Sequence, residues 1–127
     1  VNDMDGDNYL DIINANIGEK NAIYFGDADG LYNRKVLFGG SKDGTMAVAV
    51  EDLDNDQDMD IIVGNNGQKN QYYLNDNLKF SSYEFGNQES ITYGLSLADF
   101  NGDGLIDIVT ANSDGLNIIY YNSYNKK

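Results

Sequence analysis

The chain has no cysteine, no histidine, no proline and no tryptophan, and its 8 lysines and arginines are outnumbered by 21 aspartates and glutamates. Without cysteine there is neither a disulfide framework nor a thiolate metal site. Without histidine the usual general base is missing, and with it the common catalytic triads and His-ligated zinc. No apolar run approaches the roughly 18 residues of a membrane-spanning helix, so membrane insertion is not expected, and no signal peptide is visible. The net charge of −13 disfavours nucleic acid and anionic membrane surfaces as partners. A length of 127 residues suits one domain or part of one. Opening on Val1, almost inside an acidic loop, the chain reads as a processed or truncated piece, with any export signal outside it.

What is present is an acidic loop, built three times. Asp52-Leu53-Asp54-Asn55-Asp56-Gln57-Asp58-Met59-Asp60 is the middle copy, Asp3 to Asp11 the first and Asp99 to Asp107 the third. Oxygen-bearing side chains occupy positions 1, 3, 5 and 9: Asp3, Asp5, Asp7, Asp11; Asp52, Asp54, Asp56, Asp60; Asp99, Asn101, Asp103, Asp107. So many carboxylates in nine residues repel one another unless a cation holds them together. Calcium suits the set, since it takes roughly 6–8 oxygens in loose geometry whereas magnesium demands a rigid octahedron. The position-7 carbonyls of Tyr9, Asp58 and Leu105 and a water would complete each shell. Gly or Asn at position 4 (Gly6, Asn55, Gly102) and at position 6 (Asn8, Gly104) tolerates a left-handed backbone. Gln57 breaks that pattern, so strain is expected there. About three calcium ions are therefore expected, the third loop holding its ion most weakly because Asn101 replaces a carboxylate. The alternative is three solvated acidic turns, which gives no reason for the same alternation three times.

EF-hands, dockerin modules and thrombospondin-type repeats share the alternation. An EF-hand loop, however, is about 12 residues long, closes on Glu and joins helices. Here position 9 leads directly into Ile12-Ile13, Ile61-Ile62 and Ile108-Val109, which are strand residues. The match continues without a gap over residues 3–26, 52–75 and 99–122, with spacings of 49 (3 to 52) and 47 (52 to 99) residues, the range of repeat architectures. Each loop is followed by a strand (Asp11–Asn16, Asp60–Asn65, Asp107–Asn112), a turn and a second strand (Asn21–Phe25, Asn70–Leu74, Asn117–Tyr121). Consecutive apolar residues in the first of these imply a sheet covered on both faces. Before the loops, Thr45–Glu51 and Ile91–Ala98 alternate small with large residues, as suits an inner strand near a crowded axis. An outer strand, Leu31–Phe38 and Leu78–Phe85, ends both times in Phe-Gly.

The expected fold is thus all-β: propeller blades of four antiparallel strands, about three of them, the first lacking its inner strand and the third its outer one. Repeat 1 covers residues 1–44, repeat 2 residues 45–90 and repeat 3 residues 91–127, together one segment, residues 1–127, of a larger propeller. Because propellers typically have 4–8 blades, further blades from the same or another chain are expected partners.

The inner strand running into the loop (Ala47-Val48-Ala49-Val50-Glu51-Asp52), the loop with its Asp-Ile exit and the closing Phe-Gly resemble the FG-GAP and VCBS repeats of integrin α-subunit propellers and of many secreted bacterial proteins. The resemblance covers nearly the whole chain. The Gly-Ala-Pro half of the family's pattern is absent, so the bacterial VCBS-like version is nearer. The resemblance implies structural calcium loops on one face, partners on the opposite rim, and a secreted or cell-surface location. That rim carries paired asparagines, Asn16 and Asn21, Asn65 and Asn70, Asn112 and Asn117, which could bind sugar hydroxyls or satisfy turn backbone. Tyr24, Tyr73 and Tyr120 share one register and suit core packing with the hydroxyl at an edge. The expected function is a non-catalytic calcium-binding segment mediating adhesion, protein or glycan binding, or assembly. The alternative is part of a propeller-fold secreted enzyme, such as a polysaccharide lyase or hydrolase.

Overall fold

A computed structural model describes residues 1–86 and 90–123; the expected return loop through residues 87–89 and the end of the third repeat, residues 124–127, lie outside it. Ten strands and no helix are found among the described residues: β1 Ile12–Asn14, β2 Asn21–Phe25, β3 Arg34–Phe38, β4 Thr45–Glu51, β5 Asp60–Asn65, β6 Asn70–Asp76, β7 Lys79–Phe85, β8 Thr92–Ala98, β9 Asp107–Asn112 and β10 Ile118–Tyr120. They form three antiparallel sheets, β1-β2-β3, β4-β5-β6-β7 and β8-β9-β10, each in chain order. Among the described residues the first sheet lacks the inner strand and the third the outer one. In the first sheet the inner position shrinks to a single bridge, Asn2 with Asp11, in the register where Glu51 pairs with Asp60 and Ala98 with Asp107.

β5 shows why its apolar residues run consecutively. All six of its residues are buried, with Ile61 and Val63 in the core shared with the first sheet and Ile62 in the core shared with the third. The first core contains Met4, Ile23, Phe25, Phe38 and Tyr73; the second is built on Leu53, Ile62 and Ile108. β4 and β8 lie against one another, so the strands with alternating small residues are where adjacent sheets approach. Val48 and Val50 face the first core, while Leu95 and Leu97 face the second.

β1, β7 and β8 begin one residue later than expected, β10 is one residue shorter at each end, and three further ends differ. β3 begins at Arg34 instead of Leu31, because Asp27 Oδ1 accepts the N–H groups of Asp29 and Leu31 and curls the chain into a turn. β6 continues to Asp76, and the turn shifts to Asn77-Leu78, both at positive φ (51° and 66°). Such a two-residue hairpin needs left-handed backbone at both positions, and Leu78 adopts it while its side chain packs on the first core. β1 stops at Asn14, two residues short of the expected Asn16.

Candidate metal centres

Every loop folds around its position-1 aspartate. Asp3 accepts the N–H groups of Gly6, Asp7 and Asn8 (2.8, 3.2 and 2.8 Å). Asp99 does the same for Gly102, Asp103 and Gly104, and Asp52 accepts those of Asp56 and Gln57. These bonds hold the Asp99 carboxyl below the usual carboxylate range, the Gly104 N–H contributing most. Position 5 turns the chain again: Asp7, Asp56 and Asp103 accept the N–H of position 7, at 2.9 Å each. Positions 4 and 6 are left-handed in all three copies, including Gln57 at φ 80°. A side chain there costs about 1–2 kcal/mol relative to glycine, so the second loop carries the strain its sequence implied.

The position-9 aspartates do more than end the loop. Asp11, Asp60 and Asp107 are fully buried, and each clamps two distant segments. One oxygen accepts the position-2 N–H (Met4, Leu53, Phe100; 2.7, 2.8 and 2.9 Å). The other accepts an N–H at or just past the end of the third strand of the blade (Gly26, Asn75, Asn122; 2.9, 2.8 and 2.8 Å). Burial pushes the Asp60 carboxyl up to about 6, and the charges of Asp54 and Asp56 add to it, against the opposing effect of its two N–H bonds. Asp11 and Asp54 are also raised, chiefly by burial.

Positions 1, 3 and 9 converge in the first two loops. Asp3, Asp5 and Asp11 bring one carboxylate oxygen each within 4.8 Å of the others, and so do Asp52, Asp54 and Asp60. Asp7 and Asp56 at position 5 are not in these groups. The Oδ1 atoms of Asp5 and Asp54 are buried with no hydrogen-bond partner, an arrangement that costs free energy unless a cation completes it. Converging hard oxygens with two orphaned acceptors fit calcium. In the third loop the neutral Asn101 donates to Asp103 Oδ2 at 3.0 Å, relieving repulsion that the second loop retains. Tyr9, Asp58 and Leu105 occupy position 7; the Asp58 carboxylate also accepts the Asn77 N–H.

Position 2 ties the loops to the cores, a role the acidic pattern hides. Met4 and Leu53 are 4% and 5% exposed and insert into the first and second core. Their carbonyls accept Asn75 Nδ2 (3.4 Å) and Asn122 Nδ2 (2.7 Å) from the following sheet. The apolar residue at position 2, between the oxygen-bearing positions 1 and 3, was the available signal.

On the opposite rim the six asparagines form a joint between sheets. The N–H of Asn16, Asn65 and Asn112 donates to Oδ1 of Asn21, Asn70 and Asn117 (2.8, 2.9 and 2.9 Å). Asn21 Nδ2 then donates to Thr45 Oγ1, which donates to Asn65 Oδ1; one repeat later, Asn70 Nδ2 donates to Thr92 Oγ1, which donates to Asn112 Oδ1. Asn21, Asn65 and Asn70 are buried, whereas Asn16, Asn112 and Asn117 keep accessible surface.

The loop, its Asp-Ile exit and the three sheets recur together, and the pattern of the FG-GAP-like repeat matches residues 3–63 and again 52–110. The chain belongs to the FG-GAP-like repeat family. No curated protein and no solved structure matches it. As FG-GAP-like repeats, the three sheets form a β-propeller-type segment, and their acidic clusters are ones that could hold a metal.

Proposed function

We propose that this FG-GAP-like segment binds about three calcium ions, one per loop, and serves a secreted or cell-surface protein as a non-catalytic adhesion, binding or assembly module. The observation that carries the metal reading is the pair of carboxylate clusters, Asp3/Asp5/Asp11 and Asp52/Asp54/Asp60, each with a buried unpartnered oxygen. The side chains at positions 1, 3, 5 and 9 and the carbonyl at position 7 would hold the ion. Calcium would supply positive charge, taking the chain from −13 to about −7 with three ions. The same aspartates position Met4 and Leu53 in the cores, so binding stabilises the junctions between blades.

Extracellular calcium modules typically bind with Kd of ~10⁻⁴–10⁻³ M. At about millimolar calcium and the tighter limit, each site would stabilise the fold by about 1.4 kcal/mol, and three by about 4 kcal/mol, comparable to the margin of a modest domain. Most of that disappears at cytosolic calcium levels, which supports an exported location, as do the extracellular settings typical of the family. The missing Gly-Ala-Pro half supports the VCBS-like version. For a protein or glycan partner, the rim away from the loops offers a polar cleft of about 720 Å³ lined by Asp43, Asn65, Gln68, Lys69, Gln71 and Glu84.

Calorimetric titration of the chelator-stripped chain tests the metal reading. Saturation at about three ions per chain supports it; absence of binding up to about ten times the weaker limit of Kd contradicts it.

A further inference from the structure

The first loop carries a contact with a cation. Arg34, the first residue of β3, lies over the Phe25 ring with its guanidinium carbon 4.0 Å from the centroid. Its Nη2 forms an ion pair with Oδ2 of Asp5, the position-3 carboxylate. The Asp5 side chain is 12% exposed and that of Arg34 56%, so the carboxylate is fixed in the loop while the cation remains able to move. Four aspartates stand in this loop, Asp3, Asp5, Asp7 and Asp11, and the guanidinium offsets one of their charges. Among the described residues no lysine or arginine forms an ion pair with the second loop. Arg34 pairs across the sheet with Phe25; the residue paired with Leu74, which matches Phe25 in the second repeat, is Ser81.

We propose that Arg34 is a tethered counter-ion of the first loop: it opposes calcium there and supports the loop when calcium is scarce. The proposal rests on the reading of the loops as calcium sites. A cation entering between Asp3, Asp5 and Asp11 must either displace the guanidinium from Asp5 or bind beside a fixed positive charge. Both weaken binding. The half-exposed side chain has room to leave, because a cleft between the first and second loops is bordered by Arg34, Asp3, Asp5 and Asp58. The ring of Phe25 provides a resting surface that holds the guanidinium near the loop. The first loop would therefore fill at higher calcium than the second despite carrying the same four-aspartate ligand set, a difference the repeated motif cannot express.

Calcium titration of chelator-stripped, ¹⁵N-labelled protein tests this loop by loop. The amides of Gly6, Gln57 and Gly104 each donate to the position-1 aspartate of their own loop and report the three sites separately. In the unaltered chain Gly6 is expected to half-saturate at higher calcium than Gln57. In Arg34→Ser, which installs the residue of the second repeat, the Gly6 midpoint should fall by about three- to tenfold, as removal of a screened, half-exposed charge would give, while Gln57 and Gly104 stay unmoved. The thermal midpoint without calcium should fall. Arg34→Gln, which keeps the stem on Phe25, should shift Gly6 the same way and serves if the serine variant does not fold. A Gly6 midpoint that stays put or rises in both variants overturns the counter-ion role and leaves the calcium reading standing. A Gly6 amide that never responds to calcium in any of the proteins overturns both.

Discussion

The ring of Phe38 meets that of Tyr73 edge-on, centroids 5.2 Å apart, across the junction between the first and second repeats. Phe85 meets Tyr120 in the same way at 5.1 Å, one repeat later. The glycine after each phenylalanine explains the Phe-Gly pair. Gly39 and Gly86 are left-handed (φ 76° and 79°), and a Cβ on either would lie 3.2 or 3.1 Å from the hydroxyl of the same tyrosine. The phenylalanine packs on the next blade's tyrosine, and the glycine lets its hydroxyl pass.

Phe38→Ala should therefore open the first core and cost about 3–5 kcal/mol, while Gly39→Ala should cost about 1–2 kcal/mol for the backbone alone. Urea unfolding monitored by tyrosine fluorescence measures both. A loss below about 1 kcal/mol for Phe38→Ala would show that this ring pair does not hold the repeats together.

Thr45 is 2% exposed and its hydroxyl joins Asn21 of one repeat to Asn65 of the next. Thr45→Val keeps the shape but strands an amide donor and an amide acceptor, so a loss of about 1–3 kcal/mol is expected. Equilibrium unfolding gives the value, and an unchanged midpoint would mean that the joint contributes nothing.

The third loop should bind calcium more weakly than the second, since Asn101 brings no charge and its amide is bonded to Asp103. Asn101→Asp should raise affinity at that loop by about three- to tenfold at moderate salt and lower the calcium-free thermal midpoint. The Gly104 amide in a calcium titration reports the first effect. Equal affinity in the two proteins would show that ligand charge does not rank the sites.

Acidity should act in opposite directions with and without calcium. Burial holds the proton of Asp60 to about pH 6, above its ordinary 3.8, so between those values the folded, calcium-free chain binds more protons than the unfolded one. Its contribution to stability is complete below the ordinary carboxylate value and is lost as pH rises through about 6. Calcium requires the ionised form, so affinity should climb over the same window. The rise in thermal midpoint on adding calcium should be larger at about pH 7 than at about pH 5; the reverse order would contradict the link between Asp60 and the metal.

Much of this architecture was legible because it is local and repeated. β4, β5 and β9 begin and end where their apolar patterns do, and the left-handed positions follow from glycine and asparagine in the loops. Strand ends went astray where a side chain intervened, as Asp27 does before β3, or where Leu78 accepts a backbone its residue type resists. The joint between repeats was hidden because its bonds cross 24 and 20 residues, although Thr45 and Thr92 at equivalent positions were a usable sign. Arg34 left no trace in the repeat, since Ser81 stands at its place in the second copy.

The most direct test of calcium in the loops is diffraction from crystals grown with calcium, recorded where calcium scatters anomalously. The account predicts one peak in each loop, next to Asp3, Asp5 and Asp11, next to Asp52, Asp54 and Asp60, and next to Asp99 and Asp107. Loops without anomalous density, their position-3 side chains turned into solvent, would contradict it.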